Sequence, residues 1–173
     1  SGQHYGNIIW TEYAINIPYN YEYYKNIATK YDNNLYIKAN YPINNKTNLY
    51  ADLQMRNIEY KFTLGNTEET PQTVNHDFFN PKIGVYYNIS SSQSIYASYA
   101  VANREPNRND YRESSIESRP KHETLNDFEL GYKINKGIIN FNLNVYNMIY
   151  QDQLVLTGKI NDVGAYTRTN IPE

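Results

Sequence analysis

The residues of this chain alternate between apolar and polar with period two, in runs that come in pairs. In Leu35–Tyr41 the odd-numbered residues are Leu, Ile, Ala and Tyr, whereas the even-numbered ones are Tyr, Lys and Asn. Such alternation indicates a β-strand with one apolar and one polar face. Six runs of this kind predict six strands, at 35–41, 49–56, 83–89, 95–101, 127–134 and 139–145. Weaker patterns predict two more strands, near 3–15 and from about 165 onwards.

The connections between these runs alternate strictly in length. The short ones lie at 42–48, 90–93 and 135–137. The long ones lie at 16–34, 62–80, 103–122 and 151–164. All short turns are therefore expected at one edge of the sheet and all long loops at the other. A compact soluble domain rarely needs several loops of this length, whereas a transmembrane β-barrel has short turns on one side and long loops on the other.

The two faces of the predicted strands favour a barrel over a β-sandwich. The polar face carries Asn, Tyr, Gly, Ser and isolated charges, which suits a wet and crowded lumen. The chain contains 20 Tyr and 26 Asn, and a Tyr ring with its hydroxyl suits the membrane interface. Ordinary strand propensity is the alternative reason for so many Tyr. The candidates for an interface girdle lie near predicted strand ends: Tyr41, Tyr60, Tyr87, Tyr132 and Tyr150.

Composition excludes several other classes. The chain has no Cys, so neither a disulfide framework nor a thiolate metal site is expected. Its net charge of −2 and pI near 5.9 do not fit a nucleic-acid binder. The longest apolar run has four residues, so no transmembrane helix is expected, and the start lacks the pattern of a signal peptide. His4, His76 and His122 lack metal-ligand spacing, and no catalytic motif is present.

Several segments resemble a known family. They are Ser94–Tyr111 (SIYASYAVANREPNRNDY), the run RPKHETLNDFELGY up to Tyr132, and two later runs containing DQLVLTG and NDVGAYTRTN. They are similar to late barrel strands and loops of TonB-dependent outer-membrane receptors. The resemblance covers most of the chain and is strongest over 82–171. It is closest to the iron-complex receptors of Bacteroidetes.

This resemblance implies an all-β fold, an antiparallel transmembrane β-barrel segment that supplies about eight of 22 strands. Residues 1–173 would then be part of a single β-barrel domain, with the plug domain and the remaining barrel strands absent. The implied protein is not an enzyme and needs no cofactor; it imports a scarce nutrient, such as an iron–siderophore or another metal chelate. Its implied place is the outer membrane of a Gram-negative bacterium. Its implied partners are outer-membrane lipid, its own plug domain, the TonB energy complex and the ligand.

Candidate ligand-binding residues lie in or beside the long loops. Guanidinium forks in loop 103–122 suit the carboxylate, catecholate or phosphate groups of a chelate. Aromatic side chains in and before loop 16–34 can stack on a flat ligand. The loop charges can equally pair with one another, and the aromatic side chains can equally pack against other loops. The candidates are Trp10, Tyr13, Tyr23, Tyr24, Arg104, Arg108, Tyr111 and Arg112.

A second set of residues faces inward by alternation. In an intact family member these side chains would contact the plug. They are Lys38, Asp52, Gln54, Glu129 and Lys133.

Two other classes remain open from the residues alone. A soluble Tyr-rich β-sheet adhesin or carbohydrate-binding module would fold in water without detergent. A passive porin would share the strand pattern but lack a plug. The barrel interpretation predicts instead that apolar faces and open strand edges prevent the chain from folding alone in water.

Overall fold

The computed structural model describes residues 2–10, 12, 17–63, 71–112, 114, 119–160, 164 and 166–172. Within them the chain consists of nine β-strands and one five-residue helix. The elements in chain order are β1 (Gly2–Ile8), β2 (Tyr21–Pro42), β3 (Thr47–Phe62), β4 (Gln72–Ser90), β5 (Gln93–Arg104), α1 (Arg108–Arg112), β6 (Glu123–Lys136), β7 (Ile139–Gln151), β8 (Gln153–Ile160) and β9 (Tyr166–Ile171).

The strands β1 to β7 form one sheet in which the spatial order repeats the chain order, and β8 pairs with β9 in a second sheet. The pairs β1–β2, β4–β5, β5–β6, β6–β7 and β8–β9 are antiparallel. The turn from β6 to β7 has two residues, and Gly137 takes φ +58° there. Such a positive φ matches the twist that a two-residue hairpin turn needs.

The register lines up the apolar faces of adjacent strands. Leu130 of β6 stands between Ala97 of β5 and Val145 of β7, and Tyr132 stands between Ile95 and Leu143. Within the described part of the chain no protein layer covers this face, since Leu130 remains 47% exposed and Leu143 52%. The apolar face predicted from the alternation is confirmed, and its exposure is what a lipid-facing wall requires.

Asn residues appear on the apolar face towards the loop side. Counting alternate residues from the turns, Asn103 follows Val101 in β5, and Asn147 follows Val145 in β7. In β6, Asn126 follows Phe128 and stands in register between Val101 and Ile149, and its side-chain oxygen accepts a hydrogen bond of 2.7 Å from the Tyr99 hydroxyl. Towards the loops the exposed face is therefore mixed, with Asn residues beside apolar ones.

The chain divides into two compact units, Ser1–Asn33 with Arg56–Asp77, and Asn34–Met55 with Phe78–Glu173. In the first unit, Ile58 and Phe62 are almost completely buried, and the Tyr60 ring lies 4.8 Å from that of Phe62. In the second unit, Phe78, Tyr111 and Leu154 are buried. The His122 ring meets that of Phe78 edge-on at 5.3 Å.

The predicted all-β antiparallel barrel segment is confirmed, but several boundaries were wrong. Most of the predicted loop 16–34 belongs to β2, and the second half of the predicted loop 62–80 belongs to β4. The predicted loop 151–164 contains β8, whereas the predicted strand 3–15 ends at Ile8. The described residues thus hold nine strands rather than eight. Loop 103–122 agrees within two residues but contains α1.

Candidate lumen-facing and loop sites

On the polar face of the second unit, the structure brings two of the inward-predicted residues together. Lys38 Nζ lies 3.1 Å from Asp52 Oδ2, and the same ammonium sits 5.8 Å from the centre of the Tyr36 ring. Tyr36 and Lys38 share a face because they are two residues apart on β2. The Lys38 side chain is 64% exposed, so this pair stabilises the fold by less than about 1 kcal/mol.

A third inward-predicted residue, Gln54, begins a chain of side-chain amides that crosses four strands. Gln54 Oε1 accepts from Asn80 Nδ2 at 2.9 Å. Asn80 Oδ1 accepts from both the backbone N–H and the Nδ2 of Asn103, at 2.9 Å each. Asn103 Oδ1 accepts from Thr124 Oγ1 at 2.7 Å. The neighbouring Pro81 has no N–H for the ladder, and the side-chain amide of Asn80 supplies a substitute link to β5.

The last two inward-predicted residues lie on β6. Glu129 pairs in register with Ser98 and Tyr146, and Lys133 pairs with Ser94 and Asn142. Glu129 and Lys133 therefore both place a charge on the polar face. Their proposed contact with a plug stays a prediction, because the described residues contain no plug.

Tyr rings lie over glycines on this polar face and again in the first unit. The contact is so close that a Cβ added to the glycine would overlap the ring. In β5 and β6, Tyr96 is the register partner of Gly131, and its hydroxyl lies 3.3 Å from Asn144 Oδ1. The ring thus covers backbone that has no side chain of its own. The three ring-over-glycine pairs are Tyr24–Gly6, Tyr50–Gly84 and Tyr96–Gly131.

The short helix α1 starts with a reciprocal cap. Asn107 Oδ1 accepts from the backbone N–H groups of Asn109 and Asp110, and Asp110 Oδ2 accepts from the Asn107 N–H at 2.8 Å. This capping box satisfies N–H groups that a helix start leaves open. The Asp110 side chain is only 6% exposed, and its other oxygen lies 3.6 Å from Arg168 Nη1 on β9. A single carboxylate therefore both caps α1 and ties the loop to β9.

The loop charges are largely used within the protein. Arg104 Nε lies 3.1 Å from Glu123 Oε2, and Glu123 Oε1 accepts from the Leu154 backbone N–H at 2.6 Å. Tyr111 is only 2% exposed, so it offers almost no surface to a ligand. This favours the alternative in which the loop is tied by its own ion pairs. Ligand contact by Arg108 and Arg112, which flank Tyr111 on α1, stays a prediction.

The aromatic candidates belong to the first unit. Trp10 is 77% exposed and Tyr23 65%. Tyr23 and Tyr24 meet edge-to-face with ring centres 6.2 Å apart. Both lie on β2 and not on a loop, which corrects the predicted position, and a register shift sits opposite Tyr23 between Gly6 and Asn7 of β1. Tyr13 lies outside the described residues.

An ion pair in the first unit was not predicted from the sequence. Arg56 Nε and Nη2 donate to the two carboxylate oxygens of Asp32 at 2.9 and 2.6 Å, and Lys30 Nζ lies 3.7 Å from Asp32 Oδ2. The hydrogen bonds from Arg56 lower the pKa of the Asp32 carboxyl below its ordinary value of 3.8. Asp32 precedes the apolar stretch of β2 that starts at Leu35, so this pair lies outside it. The alternation of apolar and polar residues predicted a loop at Asp32, so it did not indicate this ion pair.

In the described ranges, no three His, Cys, Asp or Glu side chains lie close enough together to hold a metal ion. The same ranges contain no helix that is both long and apolar enough to cross a membrane.

Comparison with known proteins agrees with the sheet and its faces. The family model "TonB dependent receptor-like, beta-barrel" matches residues 2–173. No curated protein sequence matches. Among solved structures, the copper transporter OprC superposes with a TM-score of 0.73 at 15% identity, covering 83% of this chain and 24% of that one.

Two further structures superpose over a similar share. The closed form of the ferric-catecholate import receptor Fiu from E. coli K12 gives a TM-score of 0.60 at 15% identity, covering 84% of this chain and 24% of Fiu. The FrpB iron transporter from Neisseria meningitidis (F3-3 variant) gives 0.61 at 24% identity, covering 85% and 22%. The chain thus spans about a quarter of the length of each structure, and at these identities the likeness shows the fold alone.

Proposed function

Because the chain belongs to the TonB-dependent receptor-like β-barrel family, we propose that it forms part of the barrel wall of an outer-membrane receptor that imports a scarce nutrient. The proposed location is the outer membrane of a Gram-negative bacterium. The observation that carries the proposal is the pair of opposite faces on β4 to β7. One face is a continuous exposed apolar surface, and the other bears amides, charges and tyrosines.

Residues 1–173 are proposed to be one portion of a single barrel domain whose plug and other strands lie elsewhere in the protein. A lumen wall needs polar side chains, and the proposed plug-facing residues supply them in the Lys38–Asp52 pair and in Gln54, which is bound to Asn80. Glu129 and Lys133 extend the same face on β6. Their partners are proposed to be polar groups of the plug, which is itself moved by the TonB energy complex.

The proposed substrate is a metal chelate, most simply an iron–siderophore complex. Support comes from the solved structures of similar fold, which are a copper transporter, a ferric-catecholate import receptor and an iron transporter. Arg108, Arg112 and the exposed Trp10 and Tyr23 are the proposed ligand contacts, since cationic and aromatic groups suit anionic, flat chelates. Kinship to the Bacteroidetes iron-complex receptors stays a prediction.

The test uses the full-length protein in a Gram-negative strain that lacks its other iron-chelate receptors. A ⁵⁵Fe(III)–catecholate complex is supplied, and cell-associated iron is measured with and without a protonophore. Energy-dependent accumulation that is lost on deleting the gene supports the proposal. Accumulation that continues with the protonophore indicates a passive porin. No accumulation of any tested metal chelate contradicts the substrate class.

Family membership argues against the soluble adhesin or carbohydrate-binding module. That alternative needs the apolar face to be covered in water, whereas Ile83, Phe128 and Leu143 of this face are 48–52% exposed. Fractionation of cells expressing the full-length protein separates the two classes, because only a barrel stays with the outer membrane after a high-salt wash.

A further inference from the structure

A groove runs across the apolar face of the second unit. Its volume is about 530 Å³. Its sides and floor come from strands β2 to β6. The residues of the apolar face that line it are Ala39, Tyr41, Leu49, Ala51, Ile83, Val85, Ala97, Tyr99 and Phe128; it also borders Tyr50, Gly84 and Ser98, which stand at the alternate positions of β3, β4 and β5.

Small residues of the apolar face line the groove: Ala39 of β2, Ala51 of β3 and Ala97 of β5. Ala97 stands in register between the larger Val85 and Leu130. Walls rise beside them, since Tyr99 pairs in register with Ile83 on one side and with Phe128 on the other. The result is a depression in a surface that would otherwise be evenly covered.

We propose that this groove binds one acyl chain of an outer-membrane lipid. The inference rests on the proposed membrane location of the barrel. The groove lining is almost wholly hydrocarbon, and it lies on the exposed apolar face. A sugar, an anion or a metal chelate would lose its water there without gaining hydrogen bonds. A hydrocarbon chain has no hydrogen bonds to water to lose, and in a membrane hydrocarbon chains surround this face.

The groove also sets which way the lipid lies. Tyr41 is the residue before the last one of β2, and it stands 67% exposed where the strand reaches its turn. A Tyr at such a strand end suits the membrane interface. The polar head of the lipid is therefore placed at the turn side, with its chain running from Tyr41 towards Tyr99 and Phe128.

Packing, and not the hydrophobic effect, drives this binding, because a lipid chain is already out of water before it enters. A chain in the groove touches walls as well as floor, and many weak carbon–carbon contacts add up. We expect an enrichment over the flat parts of the apolar face of about tenfold, which corresponds to about 1.4 kcal/mol.

The test places the full-length protein in phosphatidylethanolamine vesicles that contain a small share of the same lipid with a photoreactive diazirine on its acyl chain. After illumination, adducts are mapped by mass spectrometry of digested protein. Adducts on Tyr99 and Phe128 are expected to exceed those on Leu143 and Val145, which lie on the same face outside the groove. Equal labelling of both sets would overturn the inference.

Variants that fill the groove show whether the enrichment of adducts comes from the shape of the groove or from the exposure of its residues alone. Ala51→Leu with Ala97→Leu is expected to remove the enrichment, and Val145→Leu on β7 is expected to leave it unchanged. Should the double variant not fold, Ala39→Val is the smaller filling change. Enrichment that survives filling also overturns the inference.

Heat-modifiable migration on gels reports barrel insertion independently of the label. Wild-type protein that fails to insert contradicts the proposed function, and the lipid site with it. Wild-type protein that inserts but labels evenly contradicts only the lipid site.

Discussion

The ring-over-glycine contact between Tyr96 and Gly131 offers the sharpest test of the polar face. In Gly131→Ala the new Cβ would overlap the Tyr96 ring, so the ring must leave its place on the β6 backbone. Moving one ring face off the sheet exposes roughly a third of the area that a Tyr buries, about 70 Å², which costs about 1.5–2 kcal/mol. The 3.3 Å hydrogen bond to Asn144 is also lost, at about 0.5 kcal/mol.

An alanine ordinarily stabilises a strand relative to glycine, by about 0.5–1 kcal/mol. The net expectation for Gly131→Ala is therefore a destabilisation of about 1–2 kcal/mol. Gly2→Ala is the matched control, because Gly2 is also a strand glycine but has no atom within 4 Å of an added Cβ. It is expected to be neutral or slightly stabilising. The free energy of unfolding is measured by urea titration of the full-length barrel in vesicles.

A double-mutant cycle identifies the cause. When Tyr96 is already Ala, the added methyl of Gly131→Ala meets no ring, and the substitution is expected to become neutral or to stabilise by about 0.5–1 kcal/mol. If Gly131→Ala destabilises equally with and without the Tyr96 ring, the steric reasoning is wrong and the glycine is needed for another reason.

Three further outcomes are expected. Arg56 lowers the pKa of Asp32 in the folded protein, so the pair stabilises the fold fully above the unfolded pKa near 3.8 and loses this effect as the pH falls through the lower folded pKa. Asp32→Asn should therefore weaken the loss of stability at acid pH, by less than about 1 kcal/mol because the carboxylate is about a third exposed. Asp110→Ala should destabilise α1 by about 1–2 kcal/mol because it removes the helix cap, and amide hydrogen exchange over residues 107–112 should become faster. Exchange as slow as in the wild type would show that the carboxylate does not cap the helix. Leu143→Arg should lower the free energy of unfolding by about 2–4 kcal/mol and so reduce the heat-modifiable folded fraction. Tyr146→Arg, which stands on the polar face opposite Glu129, should not do so; equal effects would refute the assignment of faces.

The sequence predicted the strands best where the two faces meet different surroundings. In β5 to β7 one face is apolar and the other polar, so period two is clear, and the register confirms it. The sequence predicts a loop over the first part of β2, residues 21–34, because Tyr, Lys and Asn occur on both of its faces. Where both faces meet polar surroundings, a strand has no reason to alternate, and the pattern disappears.

Side-chain pairing was the part that alternation alone could not supply. Alternation placed Lys38 and Asp52 on one face, and the hairpin between β2 and β3 then brings them within 3.1 Å. The dual role of Asp110 depends on Arg168, 58 positions later in the chain, so no local pattern reveals it.

The agreement between strand order and chain order from β1 to β7 bears on how quickly such a sheet can form. Every pairing joins neighbours along the chain, so only the connection between two successive strands has to close, from two residues at 137–138 up to 18 residues at 105–122. The entropy lost in closing such loops grows only slowly with their length. Sheets whose partners lie far apart in sequence must first close long loops, which makes them slow to fold. This sheet can instead grow hairpin by hairpin, because each new strand pairs with the edge strand that precedes it in the chain.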